Sequence, residues 1–156
     1  GALARYFRQL DADLAQAERG QNLACRAGCH FCCHQAVSTI PIEMDRVLEL
    51  IDTWDEAPRS ELQARLKDRQ RTLCPLNSDG LCQVYEVRPS PCRGFHSRQV
   101  APCRSIPTGK TEPIPVVPLR QAYAICHVMG FRDAVGQMGL STEPIDLVES
   151  LRKHLL

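Results

Sequence analysis

The sequence lacks an excess of charge of either sign, because 19 Lys and Arg residues nearly balance 18 Asp and Glu residues, for a net charge of +1. It has no basic patch or arginine-rich arm, so we do not expect nucleic acid as a partner. The longest apolar runs are only a few residues long, which excludes a membrane span. The start, Gly1–Arg5, has no signal-peptide pattern, although a chain that begins at Gly1 is also compatible with a removed leader. These absences predict a cytoplasmic protein.

The common catalytic motifs are also missing. We find no serine or cysteine triad, no motif of paired carboxylates and no Gly-rich phosphate loop. Glu43 and Glu86 lie near the cysteine segments and are candidate bases, if a metal here activates water or a methyl donor. The sequence therefore leaves open whether the protein is a metal-dependent enzyme, for example in methyl transfer.

What the sequence has is cysteine. Eight of its nine cysteines form one ordered series, Cys25-x3-Cys29-x2-Cys32-Cys33, then Cys74, Cys82, Cys92 and Cys103. Thiolate is a strong ligand for zinc and for iron–sulfur clusters. An odd cysteine count and the adjacent Cys32 and Cys33 are awkward for a disulfide framework. The series therefore predicts metal-bound thiolates in a reducing compartment.

The remaining pattern predicts a mainly α, small single-domain protein with an irregular cysteine-rich centre. We expect one domain over 1–156, with a cysteine-cluster core at 25–103, a Pro-rich extended connection at 102–118 and a C-terminal helical pair at 119–156. We predict five helices. The first covers residues 2–19, the second runs from Pro41 to about Asp55, and the third begins at Pro58 with Leu62, Leu66 and Leu73 on one stripe. The fourth covers residues 119–138, with Ala122, Ile125, Met129 and Val135 facing inward, and the last is capped by Ser141 or Thr142 and has Ile145, Val148, Leu151 and Leu155 on its inner face.

The spacing of the first four cysteines limits the geometry of the site. On a regular helix, Cys25 and Cys33 would lie about 12 Å apart along the axis, at about 1.5 Å per residue. Four sulfurs around one zinc lie only about 3.8 Å apart. Either a loop at Gly28 curls the first cysteines inward, or several metals share the block, or the later cysteines complete sites that the block begins. Cys32 and Cys33 would then serve different metals, or only one of them would be a ligand.

The spacing Cys25-x3-Cys29-x2-Cys32 also matches the cluster motif of radical S-adenosylmethionine enzymes, in which three thiolates hold a four-iron cluster. Those enzymes resemble β/α barrels, and this chain has neither the length nor the alternating strand–helix pattern. The match shows that this spacing suits a 4Fe–4S cluster without indicating that family.

Taken together, the double cysteine, the run Cys-Pro-Leu…Gly-x-Cys-x-Val-Tyr at 74–85 and the run Arg-Pro-x-x-Cys-Arg at 88–93 resemble the YkgJ-type cysteine-cluster family, described as zinc- or iron-chelating. A more distant similarity links the array to the flagellin lysine N-methylase FliB, a much longer enzyme that resembles an iron–sulfur protein. Because that enzyme is much longer, the similarity does not imply methylase activity for this chain. The resemblance implies that the eight serial cysteines are metal ligands or pack around the metal.

Other residues near the series are candidates for lesser roles. His34, His96 and Cys126 are candidate additional ligands, and His30 is a weaker one. Arg88 and Arg93 flank Cys92 and could balance the charge of the thiolates, which is about −2 for four on one Zn²⁺. The ordinary alternatives are surface histidines, a buried core thiol at Cys126 and simple ion pairs.

Two functions follow from this reading. An iron–sulfur protein, with 4Fe–4S favoured, would have a redox, sensing or accessory role, and a protein partner remains unidentified. A zinc-stabilised module would instead use two four-sulfur sites, or one shared multinuclear site, for folding or partner binding. In either case we predict that the distant cysteines fold back on the first block, so that the metal joins the two halves of the chain.

Overall fold

The computed structural model describes residues 1–110 and 112–156 and has the mainly helical architecture that the sequence predicts. The helices are α1 (Ala2–Ala17), α2 (Pro41–Asp52), α3 (Glu56–Lys67), α4 (Ser90–Gly94), α5 (Pro118–Gln137) and α6 (Leu147–Leu155). Short 3₁₀ helices cover Phe31–His34, Tyr85–Val87 and Pro102–Thr108. Two antiparallel pairs join β1 (Ser38–Thr39) to β4 (Ile145–Asp146) and β2 (Asn77–Ser78) to β3 (Leu81–Cys82). Within the described ranges, no helix has the length and apolar character needed to cross a membrane.

The larger hydrophobic cluster lies where α6 packs on α2 and α3. Val47, Ile51, Leu62 and Leu151 are fully buried there, because each helix repeats its apolar residues at a spacing of three or four. Cys74 and Cys82 pack against the same cluster. The larger core therefore supports one side of the cysteine-rich segment.

A smaller cluster joins α1 to α5 through Leu10, Leu14 and Ala124. The Tyr6 ring stacks on Phe131 of α5 at a centroid distance of 3.9 Å. Both helices also contact α4, the short helix that carries Cys92. The α1–α5 pair thus supports the opposite side of the cysteine-rich segment. Since α5 packs on α1 and α4, whereas α6 packs on α2 and α3, the last two helices have different partners.

Several helix details differ from the sequence prediction. Leu73 lies beyond the end of α3 at Lys67, and Ile145 lies in β4 and not on the inner face of α6. The predicted inner face of α5 was wrong for Ala122, Ile125 and Met129, which are exposed, whereas Val135 is buried as expected. Apolar residues occur on all sides of α5, so their spacing does not define one buried face. The predicted caps of α6 were also wrong, because Asp146 caps it by accepting a hydrogen bond from the Glu149 N–H at 2.9 Å.

The Pro-rich segment is not extended throughout, as the sequence had suggested. Residues Pro102–Thr108 form a 3₁₀ helix that ends at Gly109 with a positive φ of 73°. Proline at the first turn suits a helix, because its missing N–H would have no partner there in any case. Residue 111 of the predicted 102–118 connection lies outside the described residues.

Candidate metal centre

The first cysteine block bends sharply instead of forming one regular helix. Gly28 has a φ of +83°, a conformation that glycine adopts without strain, and the Cys29 N–H donates to the Arg26 carbonyl at 3.0 Å. The chain then enters the 3₁₀ helix Phe31–His34, which contains Cys32 and Cys33. A turn at Gly28, which one of the three sequence-based alternatives requires, is therefore present.

A β-hairpin brings two later cysteines to this block. The Cys74 N–H donates to the Cys33 carbonyl at 2.7 Å, and Asn77 pairs with Cys82 across the hairpin. The two-residue turn Asp79–Gly80 has positive φ angles of 52° and 81°, as tight hairpins require. The turn packs against the first block, since a Cβ on Gly80 would lie 3.3 Å from the Gly28 carbonyl oxygen.

Cys92 is positioned by a buried polar network at the start of α4. The Glu43 carboxylate is 3% exposed and accepts hydrogen bonds from the Ser90 N–H (3.0 Å), the Ser90 hydroxyl and the Thr39 hydroxyl (2.7 Å). The Tyr6 hydroxyl lies 3.1 Å from the Ser90 hydroxyl. Glu43 therefore acts here as an acceptor that fixes the segment carrying Cys92.

The remaining serial cysteines, Cys25 and Cys103, meet at the backbone of residues 97–99. The Ser97 N–H donates to the Cys25 sulfur at 3.3 Å, and the buried Cys103 thiol donates to the Gln99 carbonyl at 3.6 Å. In addition, the 3₁₀ helix that carries Cys103 packs against the one that carries Cys32 and Cys33. Cysteines that are far apart in sequence are thus neighbours in the fold.

Two sulfurs accept hydrogen bonds from the surrounding chain. The Ser97 N–H donates to the Cys25 sulfur at 3.3 Å, and the Asn77 amide donates to the Cys33 sulfur at 3.7 Å. The backbones of Leu76 and Val84 also lower the pKa of Cys74 and of Cys82 in part. Donors directed at sulfur stabilise the thiolate more than the thiol. No signal in the sequence distinguishes Asn77 or Ser97 as donors to sulfur.

Burial acts in the opposite direction to these donors, because without a nearby cation it disfavours the charged thiolate. It raises the pKa of Cys74 and of Cys92 to about 12, with smaller contributions from neighbouring thiols. Burial also raises the pKa of Cys25 and of Cys82. In the adjacent pair, the interaction between the two neighbouring thiols is the largest cause, and it raises the pKa of Cys32 and lowers that of Cys33.

The two arginines beside Cys92 have different surroundings. Arg88 stacks on the Tyr85 ring at 3.7 Å, and its positive charge lowers the pKa of both Cys82 and Cys92 in part, against the larger effect of burial. The buried Arg93 instead donates to the Arg88 carbonyl, the Glu86 carbonyl and the Asp11 carboxylate. Arg88 thus acts on the thiols electrostatically, and Arg93 connects the loop to α1.

Arg71, which the sequence analysis did not single out, also influences the thiols. Its positive charge lowers the pKa of Cys74 in part, although burial raises that pKa overall. Its side chain donates to the Leu73 carbonyl at 3.0 Å.

Each of the candidate histidines has at least one ring nitrogen beside another polar group, and Cys126 lies apart from the other cysteines. His96 is buried, with Nε2 accepting from the Val117 N–H at 2.9 Å and Nδ1 lying 3.0 Å from the Gly94 carbonyl oxygen. Nδ1 of His30 lies 3.0 Å from the Gly28 carbonyl oxygen, and Nδ1 of His34 lies 3.0 Å from the Thr72 hydroxyl. Cys126 is exposed on α5 and lines a groove that contains none of the other cysteines.

The eight sulfurs suit a thiophilic metal by their chemistry. All nine cysteines are free thiols, and the sulfurs of Cys25 and Cys33 accept hydrogen bonds. Within residues 1–110 and 112–156, however, no three His, Cys, Asp or Glu side chains already have the spacing of a formed metal site. The sulfurs are neighbours, and a metal would have to draw them closer together.

Comparison with protein families identifies this segment. The model of the CxxCxxCC family, described as "Putative zinc- or iron-chelating domain", matches residues 24–112, which is more than half of the chain. The chain belongs to this family, as the resemblance to YkgJ-type proteins had indicated. Comparisons with curated proteins and with solved structures found no match.

Proposed function

From its membership of this zinc- or iron-chelating family, we propose that the chain is an iron–sulfur protein with a redox, sensing or accessory role. The observation that supports iron–sulfur ligation most is the donor set. Two of the later cysteine segments contact the first block, because the Cys74 N–H donates to the Cys33 carbonyl and the 3₁₀ helix of Cys103 packs on the 3₁₀ helix of Cys33. His96, in contrast, has both ring nitrogens occupied by the backbone. Iron–sulfur clusters are held mainly by cysteine thiolates, whereas structural zinc sites often include histidine.

The hydrogen bonds to sulfur support the same proposal. The Ser97 N–H donates to the Cys25 sulfur, and the Asn77 amide donates to the Cys33 sulfur. Such donors tune the reduction potential of a cluster and stabilise the negative charge of its thiolates. A bound cluster would supply one-electron chemistry at this position.

The test is to purify the protein without oxygen. We expect a brown protein with broad visible absorption that bleaches on reduction with dithionite, and with iron and acid-labile sulfide in equal amounts. A Cys126→Ser variant is the matched control and should retain the colour. A colourless anaerobic preparation without iron or sulfide would refute the iron–sulfur proposal.

The alternative is a zinc-stabilised structural or partner-binding module. The observation that favours it is that the cysteine segments pack closely within the fold. The Cys74 N–H donates a hydrogen bond to the Cys33 carbonyl, and Cys82 packs on the larger hydrophobic cluster. Structural zinc contributes directly to folding stability. This function predicts stoichiometric zinc in the purified protein and unfolding on chelation, and structure retained after complete metal removal would contradict it.

A further inference from the structure

Helix α5 buries only one side of its surface against the rest of the molecule. Ala124 is buried on that side, in the cluster with α1. At about 100° per residue, Ala122, Cys126 and Met129 lie on the opposite side of the helix, and all three are exposed. We name the side that carries these three residues the outer face of α5. A helix that is apolar all round is normally covered all round, so the outer face has the composition of an interface.

The outer face carries almost no charge. Residues 121–131 of α5 contain no Lys, Arg, Asp or Glu. The imidazole of His127 is turned towards α1, where its Nε2 lies 2.8 Å from a carboxylate oxygen of Asp13. Such a surface offers little to a nucleic acid or an acidic peptide, because these bind proteins chiefly through charge. Two copies of it can meet without opposing like charges, so the charge pattern favours a second copy of this chain as the partner.

The outer face also has a shape that can match itself. Residues four apart on a helix form ridges, and Ile125 and Met129 form one in which the side chains are 49% and 67% exposed. Beside this ridge lies an open, mainly apolar groove of about 520 Å³, lined in part by the small residues Cys126, Gly130 and Ala134. A twofold axis would place the ridge of each copy in the groove of the other, as an isologous interface requires.

We propose that the protein forms a homodimer through the outer face of α5, with the Ile125–Met129 ridge of each copy packed in the groove of the other. Cys126 lies near the middle of this face, so the two Cys126 thiols would lie on either side of the twofold axis. One face of this 20-residue helix is about 30 Å long and about 10 Å wide, roughly 300 Å² in projection. Stable interfaces bury about 800 Å² per partner, so we expect a weak, reversible dimer with a Kd in the micromolar range. The proposal does not depend on which metal the cysteines bind.

The first test is sedimentation equilibrium on the full chain as purified without oxygen, with its metal, from about 5 µM to about 500 µM. Met129→Lys should raise the dimer Kd by about tenfold or more, because its ammonium group would face an apolar groove. Gly130→Gln should also raise the Kd, because its side chain fills the groove. Met138→Lys is the matched control: Met138 is 71% exposed and lies nine residues further on, about 180° from Met129, so its Kd should equal that of the wild type.

The Gly130 variant keeps the test decisive if Met129→Lys fails to fold. A Cβ added at Gly130 would have no neighbouring atom within 4 Å, and glycine is a poor helix former, so the monomer should tolerate the change. As a second readout, a short bismaleimide should join two chains, and Cys126→Ser should lose the joined product. A wild-type chain that stays monomeric over the whole range would overturn the proposal. So would a dimer that both groove and ridge variants leave intact, or crosslinking that survives in Cys126→Ser.

Discussion

Glu43 illustrates how a single buried residue can support the cysteine-rich segment from outside it. Its carboxylate accepts from Thr39 and from both the N–H and the hydroxyl of Ser90, and it is 3% exposed. The sequence marked Glu43 as a candidate base because of its position near the cysteines. Three protein donors instead occupy its oxygens, which indicates a role in positioning the start of α4.

Replacing the Glu43 carboxylate tests that role. In Glu43→Gln, the side-chain NH₂ group would take the place of one carboxylate oxygen. The hydroxyl or N–H group of Thr39 or Ser90 that donates to that oxygen would then lose its acceptor. We expect a loss of about 1–3 kcal/mol in the free energy of unfolding, measured by urea titration. The control Glu49→Gln changes a glutamate whose side chain is 63% exposed and should cost about 0.5 kcal/mol or less. Equal midpoints for the two variants would contradict the positioning role.

The Tyr6 hydroxyl joins the same network and predicts a pH dependence. Burial, the largest cause, raises the pKa of Tyr6 to about 12, although the hydrogen bond with Ser90 opposes the shift. The unfolded chain ionises this phenol near pH 10, so between about pH 10 and about pH 12 the phenol is neutral in the folded state and ionised in the unfolded state. The stabilisation is fully present below about pH 10 and is lost as the pH rises from about 10 to about 12.

Comparison with Tyr6→Phe isolates this effect. Between pH 9 and pH 11, the unfolding free energy of the wild type should fall more steeply than that of Tyr6→Phe, because phenylalanine cannot ionise. Tyr85→Phe, at a tyrosine that is 57% exposed, is the control and should follow the wild type. Parallel curves for wild type and Tyr6→Phe would show that Tyr6 does not cause the loss.

At the scale of elements, the β2–β3 hairpin depends on Gly80 for two reasons. Its φ of +81° favours glycine, and the absence of a Cβ allows the turn to lie against Gly28 and His30. In Gly80→Ala we expect both backbone strain and crowding, and therefore weaker metal retention as Cys82 shifts. Gly109→Ala is the matched control, since Gly109 has a φ of +73° but a Cβ added there would have no neighbouring atom within 4 Å.

The two alanine variants separate these causes. Gly109→Ala should lose about 1–2 kcal/mol of stability from strain alone and keep its metal. Gly80→Ala should lose more stability, and some metal as measured by elemental analysis. Equal losses of stability with full metal retention in both variants would show that contact between the turn and the first block is unimportant.

The accuracy of the sequence prediction follows the strength of each local signal. Helices α1 and α2 have distinct apolar stripes, and the turn at Asp79–Gly80 uses residues that tolerate positive φ, so the two helices and the turn were predictable. The face of α5 was not, because its apolar residues surround the helix. The cap of α6 depends on the pairing of β4 with β1, which brings Ser38 opposite Asp146 and which local spacing does not encode.

The candidate site was predictable in its residues but not in its arrangement. Cysteine spacing indicated the eight sulfurs, and their arrangement comes from contacts between segments up to 72 residues apart, such as Cys25 with Ser97. Of the two donors to sulfur, one is the Ser97 backbone N–H, a group that every residue type except proline supplies, and the other is the Asn77 amide. No residue pattern could therefore identify them.

At the scale of the whole molecule, the two hydrophobic clusters depend unequally on the cysteine-rich segment between them. The cluster of α2, α3 and α6 contains fully buried residues from all three helices. The α1–α5 cluster is small, and it is linked to the Cys92 helix by polar contacts, from Arg93 to Asp11 and from Arg120 to the Gly94 carbonyl at 2.8 Å. The α1–α5 pair should therefore be more sensitive to the state of the metal centre.

Hydrogen exchange with and without metal tests this difference. On chelation, amides of α1 and α5 should exchange faster by at least tenfold, because α4 no longer holds them in place, whereas amides of α2 and α6 around Val47 and Leu151 should remain slow. Local opening of this kind occurs where few apolar contacts resist it. A uniform acceleration across all four helices would mean that metal loss unfolds the molecule as one unit. No acceleration in α1 or α5 would mean that the cysteine segments do not hold the smaller cluster, and the metal would then not join the two halves of the chain.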